Sequence, residues 1–337
     1  MVLDDVPRAK PLDAVDQSLV DGVLACQLRP LAKTITLIES RREDHQARAR
    51  SVLEALLPHT GGAMRVGISG VPGVGKSTFI EALGLYLIEQ GLRVAVLAVD
   101  PSSSITGGSI LGDKTRMERL SQNTAAFIRP SPSAGSLGGV AEKTRETMLA
   151  CEAAGFDVII IETVGVGQSE TSVANMSDMF CLLQLPNAGD DLQGIKKGIM
   201  ELADLVVVNK ADIDFAATTR AQAQLKTALH MLRPASPNWS PPVLTLSALK
   251  MDGVAEFWRT VCDYRDAMQK TGEFEAKRRR QARAWMWDLI DAGLRALLRG
   301  HPRVRADLPS LTAAVEEGET TPSAAAQRLL RYLKDAV

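Results

Sequence analysis

The segment Gly70-Val71-Pro72-Gly73-Val74-Gly75-Lys76-Ser77-Thr78 fits the pattern GxxxxGK[ST] and lies between a short apolar run and an amphipathic stretch. Glycines at this spacing permit a loop tight enough for backbone N–H groups to converge on one phosphate, and the helix that follows adds its positive end. Lys76 is the residue type that neutralises β- and γ-phosphates, and Ser77 is the hydroxyl that binds Mg²⁺. A nucleoside triphosphate is the expected ligand.

The base is addressed by Asn209-Lys210-Ala211-Asp212, directly after the run Leu205 to Val208. A carboxylate at Asp212 can accept from both N1–H and the 2-amino group of guanine, whereas adenine offers no such pair of donors. A site built on those donors rejects the wrong base by roughly four orders of magnitude, because its own carboxylate would stay unpaired. Lys210 is expected along the ring and Asn209 as the tie to the phosphate loop. Ser247-Ala248-Leu249 ends the next apolar run and can offer a backbone N–H to guanine O6. Three elements in this order favour GTP and GDP over adenine nucleotides.

Metal ligands are sought among carboxylates at strand ends. Asp157 and Glu162 flank the run Val158 to Ile161, so at about 3.3 Å per residue their Cα atoms lie roughly 16 Å apart and cannot share one ion. Glu162 is at the carboxyl end, where Glu162-Thr163-Val164-Gly165 takes the place of a DxxG sequence. It is expected to hold Mg²⁺ through water, with Gly165 sensing the γ-phosphate. Asp157 reads as an ordinary strand-start residue. Asp100 ends the run Val94 to Val99 and falls within reach of the same ion.

These residues need a frame. Short β-branched runs at Arg65 to Ser69, Val94 to Val99, Ala125 to Ile128, Val158 to Ile161, Phe180 to Leu185, Leu205 to Val208 and Val243 to Leu246 alternate with amphipathic stretches. That alternation predicts an α/β fold of the P-loop NTPase kind, a mainly parallel sheet flanked by helices with ligands at the carboxyl ends of its strands. Before it, Leu12, Val15, Leu19, Val23 and Leu24 recur at helical spacing, Pro30 can open a second helix through Ile38, and a third runs from Glu43 to Leu57. After about Asp252 the strand signals stop. Trp285, Leu289, Gly293, Leu294 and Leu298 again keep helical spacing, and Thr321 with Pro322 announces a last helix. The expected division is a helical N-terminal extension over 1–62, the nucleotide domain over 63–252 and a helical C-terminal region over 253–337.

The chain has 337 residues, with 39 basic against 40 acidic side chains, a net charge of −1 and 4% aromatics. Such a balance supplies neither a field toward nucleic acid or anionic membrane nor a surface for base stacking. Lys277-Arg278-Arg279-Arg280, the one dense basic run, reads as a solvated helix face. Cys26, Cys151, Cys181 and Cys262 are 125, 30 and 81 positions apart, without metal-ligand spacing, and read as buried free thiols. The first ten residues resemble no secretory or transit leader, and apolar runs fall short of the roughly 18 residues that span a bilayer. No membrane partner and a cytoplasmic location are expected.

The phosphate loop, the Asp100-Pro101-Ser102-Ser103 strand end, Gly107 to Met117, Glu162 to Glu170 and Asn209 to Asp212 together resemble the MeaB/ArgK family, relatives of the human methylmalonic aciduria type A protein. The resemblance spans nearly the whole chain. It implies a homodimeric GTPase that chaperones the adenosylcobalamin-dependent methylmalonyl-CoA mutase, gating cofactor loading and protecting that enzyme, with no cobalamin site of its own visible. By the same resemblance Asp100 and Asp113 lie in a segment that approaches Mg²⁺ in some nucleotide states, and the stretch Pro186 to Lys197 relays that state to the mutase. Lys196 is then the residue expected to matter when the mutase speeds hydrolysis. The resemblance also makes the C-terminal helices the dimer contact, so that truncation after about Asp263 should leave a GTP-binding monomer.

Hydrolysis is expected by attack of water on the γ-phosphate, with backbone donors, Lys76 and Mg²⁺ stabilising the charge. No Gln follows Gly165 directly, and Gln168 is displaced, so unstimulated turnover should be low. Two rivals share the phosphate loop: a kinase of a transport protein, which needs an acceptor site, and a nickel-delivery GTPase, which needs clustered thiols or imidazoles that widely spaced cysteines and only four histidines do not offer.

Overall fold

The computed structural model describes residues 12–99, 117–130, 137–163, 169–186, 197–232 and 235–334. All seven predicted strands form, as β1 (Met64–Gly70), β2 (Val94–Val99), β3 (Ala126–Arg129), β4 (Val158–Thr163), β5 (Met179–Gln184), β6 (Leu205–Val208) and β7 (Val243–Thr245). They make one sheet in the order β3-β2-β4-β1-β5-β6-β7, and every neighbouring pair is parallel. Central strands β2, β4 and β5 are buried along their whole length, which is why their sequences read as unbroken apolar runs rather than alternating ones.

Alternate side chains supply two cores, one on each face of the sheet. Against one face lie α1 (Ala14–Leu24), α2 (Leu28–Glu39), α3 (Glu43–Leu56), α6 (Leu137–Ala153), α7 (Ser169–Ala174), α8 (Lys197–Leu202) and α9 (Phe215–His230). The other face carries α4 (Lys76–Glu89), α5 (Glu118–Ser121) and α10 (Val254–Thr271). The three N-terminal helices fall where the helical spacing predicts, and their Val23, Leu31, Ile35, Val52 and Leu56 are fully buried in the first core. Arg48 to Asp16 at 2.7 Å joins α3 to α1, and Arg129 pairs with Glu39 to join β3 to α2. Glu152 on α6 accepts from the Arg65 guanidinium and from the Gly61 N–H at 2.7 Å, so this buried carboxylate is both charge-paired and hydrogen-bonded.

The compact unit that holds the sheet runs to Lys277, and a second, all-helical unit begins at Arg278. Helix α10, which composition groups with the C-terminal region, buries Phe257, Val261, Tyr264 and Met268 in the sheet's own core. The following helices are α11 (Glu273–Gly300), α12 (Pro302–Glu316) and α13 (Pro322–Lys334). Thr321 accepts from the Ala324 N–H, the expected cap of α13.

Lys277 does not lie on a solvated face. Its Nζ donates to the Asp178 carbonyl at 2.6 Å, to Asp204 Oδ2 at 3.1 Å and to Tyr264 Oη at 3.3 Å, beneath the starts of β5 and β6. A four-residue basic run hid this because its acceptors are 99 and 73 positions away in sequence. Among the cysteines, Cys151 and Cys181 are buried, whereas Cys26 is exposed in a left-handed turn and Cys262 is half-buried; all four are free.

Candidate functional site

β1 leaves the middle of the sheet between β4 and β5 and runs into the loop Val71–Gly75, from which α4 starts at Lys76. Gly70 must be bare, because a Cβ there would sit 2.6 Å from the Leu183 carbonyl oxygen of β5. Gly75 is the N-cap of α4 at φ +94°, and a Cβ on it would meet Asn209 Nδ2 at 2.8 Å. Both glycines are therefore fixed by the approach of neighbouring chain as well as by the turn. Lys76 reaches back over the loop, its Nζ donating to the Gly70 carbonyl at 2.7 Å and lying 3.4 Å from that of Val71. A cation held across a glycine loop at a helix start suits an anionic phosphate chain.

Asn209, at the end of β6, is buried and organises three loops. Its Nδ2 donates to the Val74 carbonyl at 2.8 Å, while its Oδ1 accepts from the Lys210 N–H at 2.8 Å and the Ala248 N–H at 3.2 Å. The expected tie between base loop and phosphate loop is thus in place. Lys210 holds a left-handed φ of 61°, and its Cε comes within 3.8 Å of the Cβ position above Gly75.

Asp212 is exposed on the same loop, two residues beyond Lys210. The Ser247 hydroxyl beside it holds its carboxyl below the usual carboxylate range, with Lys250 adding to the effect. Sequence reasoning used Ser247 for its backbone alone and missed this side-chain contact; the signal was a hydroxyl residue opening the small-residue turn. Ser247 is pinned in turn by reciprocal backbone bonds with Asp252. Leu249, by contrast, stands out into solvent.

On the α4 side of the phosphate loop, Ser77 Oγ lies 3.4 Å from Glu162 Oε1 at the end of β4. A hydroxyl and a carboxylate converging at a helix start are hard oxygen donors of the kind Mg²⁺ takes, so the residues present fit that ion. Asp157, at the other end of β4, accepts from the Arg93 N–H at 2.7 Å, the strand-start role expected of it. Asp100, Asp113, Gly165, Gln168 and Lys196 lie outside the described residues. Among the described residues, no group of three or more His, Cys, Asp or Glu could hold a metal ion, and no helix is long and apolar enough to cross a membrane.

The family model described as "Methylmalonyl Co-A mutase-associated GTPase MeaB" matches residues 31–302. A "Putative GTPase" of Caulobacter vibrioides is 56% identical over 322 residues, covering 96% of this chain and 98% of that protein. The "Methylmalonic aciduria type A homolog, mitochondrial" of Mus musculus is 47% identical over 334 residues, 96% of this chain and 80% of that one. Among solved structures, one described as a LAO/AO transport system kinase superposes with a TM-score of 0.77 at 38% identity, covering 96% of this chain and 98% of its own.

Proposed function

The chain belongs to the MeaB family of P-loop GTPases and is a GTP hydrolase, and we propose that it spends the GTP cycle on chaperoning an adenosylcobalamin-dependent methylmalonyl-CoA mutase. In this reading it gates loading of the mutase's cofactor and protects that enzyme from inactivation. The observation that carries the proposal is the family match over 31–302, whose description names the mutase, joined to a 47% likeness to a methylmalonic aciduria type A homolog along almost the whole chain. Cobalamin is held by the mutase in this scheme, and this chain acts on the mutase that holds it.

For the chemistry, Gly70 to Thr78 wrap the phosphates, and Lys76 exchanges the loop carbonyls for the β- and γ-phosphate oxygens. Ser77 and Glu162 would hold Mg²⁺, and Asp100 and Asp113 would approach it in some nucleotide states. Bound there, the ion supplies charge neutralisation on the phosphate oxygens. Asp212 reads the guanine edge, Lys210 lies along the ring, and the turn Ser247-Ala248-Leu249 supplies an N–H to O6. Water attacks the γ-phosphorus, and the departing GDP oxygens are stabilised by the loop N–H groups and Lys76. Turnover is slow in the chain alone and rises when the mutase binds; the Pro186 to Lys197 stretch relays the nucleotide state to the mutase, and Lys196 is the residue on which the rise depends.

The functional unit is a homodimer in the cytoplasm. Its contact is assigned to the C-terminal helices, where α11 leaves Trp287, Leu294 and Leu297 more than half exposed, an apolar face a lone helix does not carry at no cost. The four free cysteines suit a reducing compartment. The test is co-purification with methylmalonyl-CoA mutase followed by GTP turnover with and without it. Stimulation that Lys196→Ala abolishes supports the reading, and turnover indifferent to the mutase rejects it.

A further inference from the structure

The backbone ladder between β1 and β4 runs up to Ile68 opposite Glu162. β2 follows β4 one step farther, to Val99 opposite Thr163, and β5 follows β1 to Gly70 opposite Leu183. β1 and β4 therefore part at the step where Ser69 and Thr163 face each other. Beyond it one chain enters the phosphate loop at Gly70 and the other enters Val164. Across that step Thr163 Oγ1 donates to Ser69 Oγ at 3.0 Å. The two residues are 0% and 1% exposed, at a place where Val and Ala would fill the same space.

Replacing both partners of such a bond by apolar groups of like shape is nearly neutral for stability. The pair's worth is therefore positional. Successive side chains alternate across a sheet, so Ser69 and Thr163 face the α6–α7 layer while Glu162 faces α4 and Ser77. A bond on one face thus sets where the carboxylate lands on the other. A misplacement of about 1 Å in a reacting constellation can cost on the order of a hundredfold in rate.

We propose that the Ser69–Thr163 hydroxyl pair is a positioning device for GTP hydrolysis, holding Glu162 in register with the phosphate loop and Ser77. The inference rests on the assignment of Ser77 and Glu162 to Mg²⁺ made above. Neither hydroxyl is assigned to nucleotide or ion; both act through Glu162.

The experiment uses full-length Thr163→Val, Ser69→Ala, the double variant and Thr163→Ser, with Ser77→Ala as the control on the metal assignment. Two readouts are taken: GTP turnover against Mg²⁺ concentration, and the Mg²⁺-dependent tightening of a fluorescent GDP analogue. Thr163→Val is expected to raise the half-saturating Mg²⁺ roughly tenfold in both, the scale of one lost positioning bond. The KM for GTP at saturating Mg²⁺ stays native, and so does the melting temperature of the double variant, in which neither hydroxyl is left unpaired. Ser69→Ala reproduces this, the double variant is no worse than either single one, and Thr163→Ser restores the native response. Native Mg²⁺ dependence in Thr163→Val and Ser69→Ala, additive losses in the double variant, or failure of Thr163→Ser to restore would each overturn the pair's role. If Ser77→Ala keeps its Mg²⁺ response, the metal assignment falls and the inference with it; if Ser77→Ala loses it while Thr163→Val is native, the inference alone falls.

Discussion

Asn209 Nδ2 donates to the Val74 carbonyl at 2.8 Å, so the loop proposed to read the base and the phosphate loop are one hydrogen-bonded body. In Asn209→Ala, the Val74 carbonyl and the N–H groups of Lys210 and Ala248 lose their side-chain partner. Buried groups left unpaired cost about 1–3 kcal/mol each, and the two loops lose the anchor that holds them in one arrangement. GDP affinity in a fluorescence titration is expected to fall roughly 10- to 100-fold. An unchanged affinity would show that the two loops are set independently.

If Asp212 reads the guanine edge as proposed, its contact with Ser247 makes base recognition depend on pH in a stated direction. Asp212 has a depressed carboxyl, so it is ionised above that value and guanine binding is lost as pH falls through it. Removing the largest cause, the Ser247 hydroxyl, lets the carboxyl rise toward its ordinary range. In Ser247→Ala the acid limb of GDP affinity is therefore expected at higher pH than in the native protein, with affinity near neutrality little changed. Affinity against pH for both proteins decides it, and coincident acid limbs would reject the contact.

The Lys277 network predicts a loss of stability without a loss of binding. Lys277 joins Asp204, Tyr264 and the Asp178 carbonyl below β5 and β6, at the sheet end away from the nucleotide loops. Asp204 Oδ2 also accepts from the Phe180 N–H at 2.9 Å, and Trp239 Nε1 donates to the Asp204 carbonyl at 2.7 Å. Lys277→Met leaves the buried Asp204 carboxylate one partner short, worth about 2 kcal/mol because the Phe180 N–H still pairs with it and the lost lysine was itself partly exposed. A lower denaturant midpoint with native GDP affinity is the expected pair of results.

The range of each interaction decides whether the sequence alone reveals it. All seven strands are legible because each is a run of β-branched or apolar residues bounded by polar ones. The phosphate loop is legible because close chain approach at Gly70 and Gly75 leaves no choice of residue. The Asn209 tie can be inferred from residue type. The Ser69–Thr163 bond cannot, since it exists only once strand register puts residues 94 positions apart side by side. Helix α10 misleads for a related reason: its texture is as helical as that of α11 to α13, yet its apolar stripe faces the sheet.

That stripe alters where the chain can be cut. The cut after about Asp263 that the family resemblance suggests discards Tyr264, Met268 and Phe274, all buried in the second core, together with Lys277. Each buried side chain of this size contributes about 1.5–3 kcal/mol, so the loss is comparable with the whole stability of a domain. A chain ending after Arg280 keeps the core and the Lys277 bonds and removes nearly all of the second compact unit. It is expected to bind GDP with native affinity and to elute as a monomer on sizing, whereas the chain ending after Asp263 is expected to unfold or aggregate. A dimer that survives the cut after Arg280 would move the self-association away from the exposed Trp287, Leu294 and Leu297 face and onto the sheet-bearing unit.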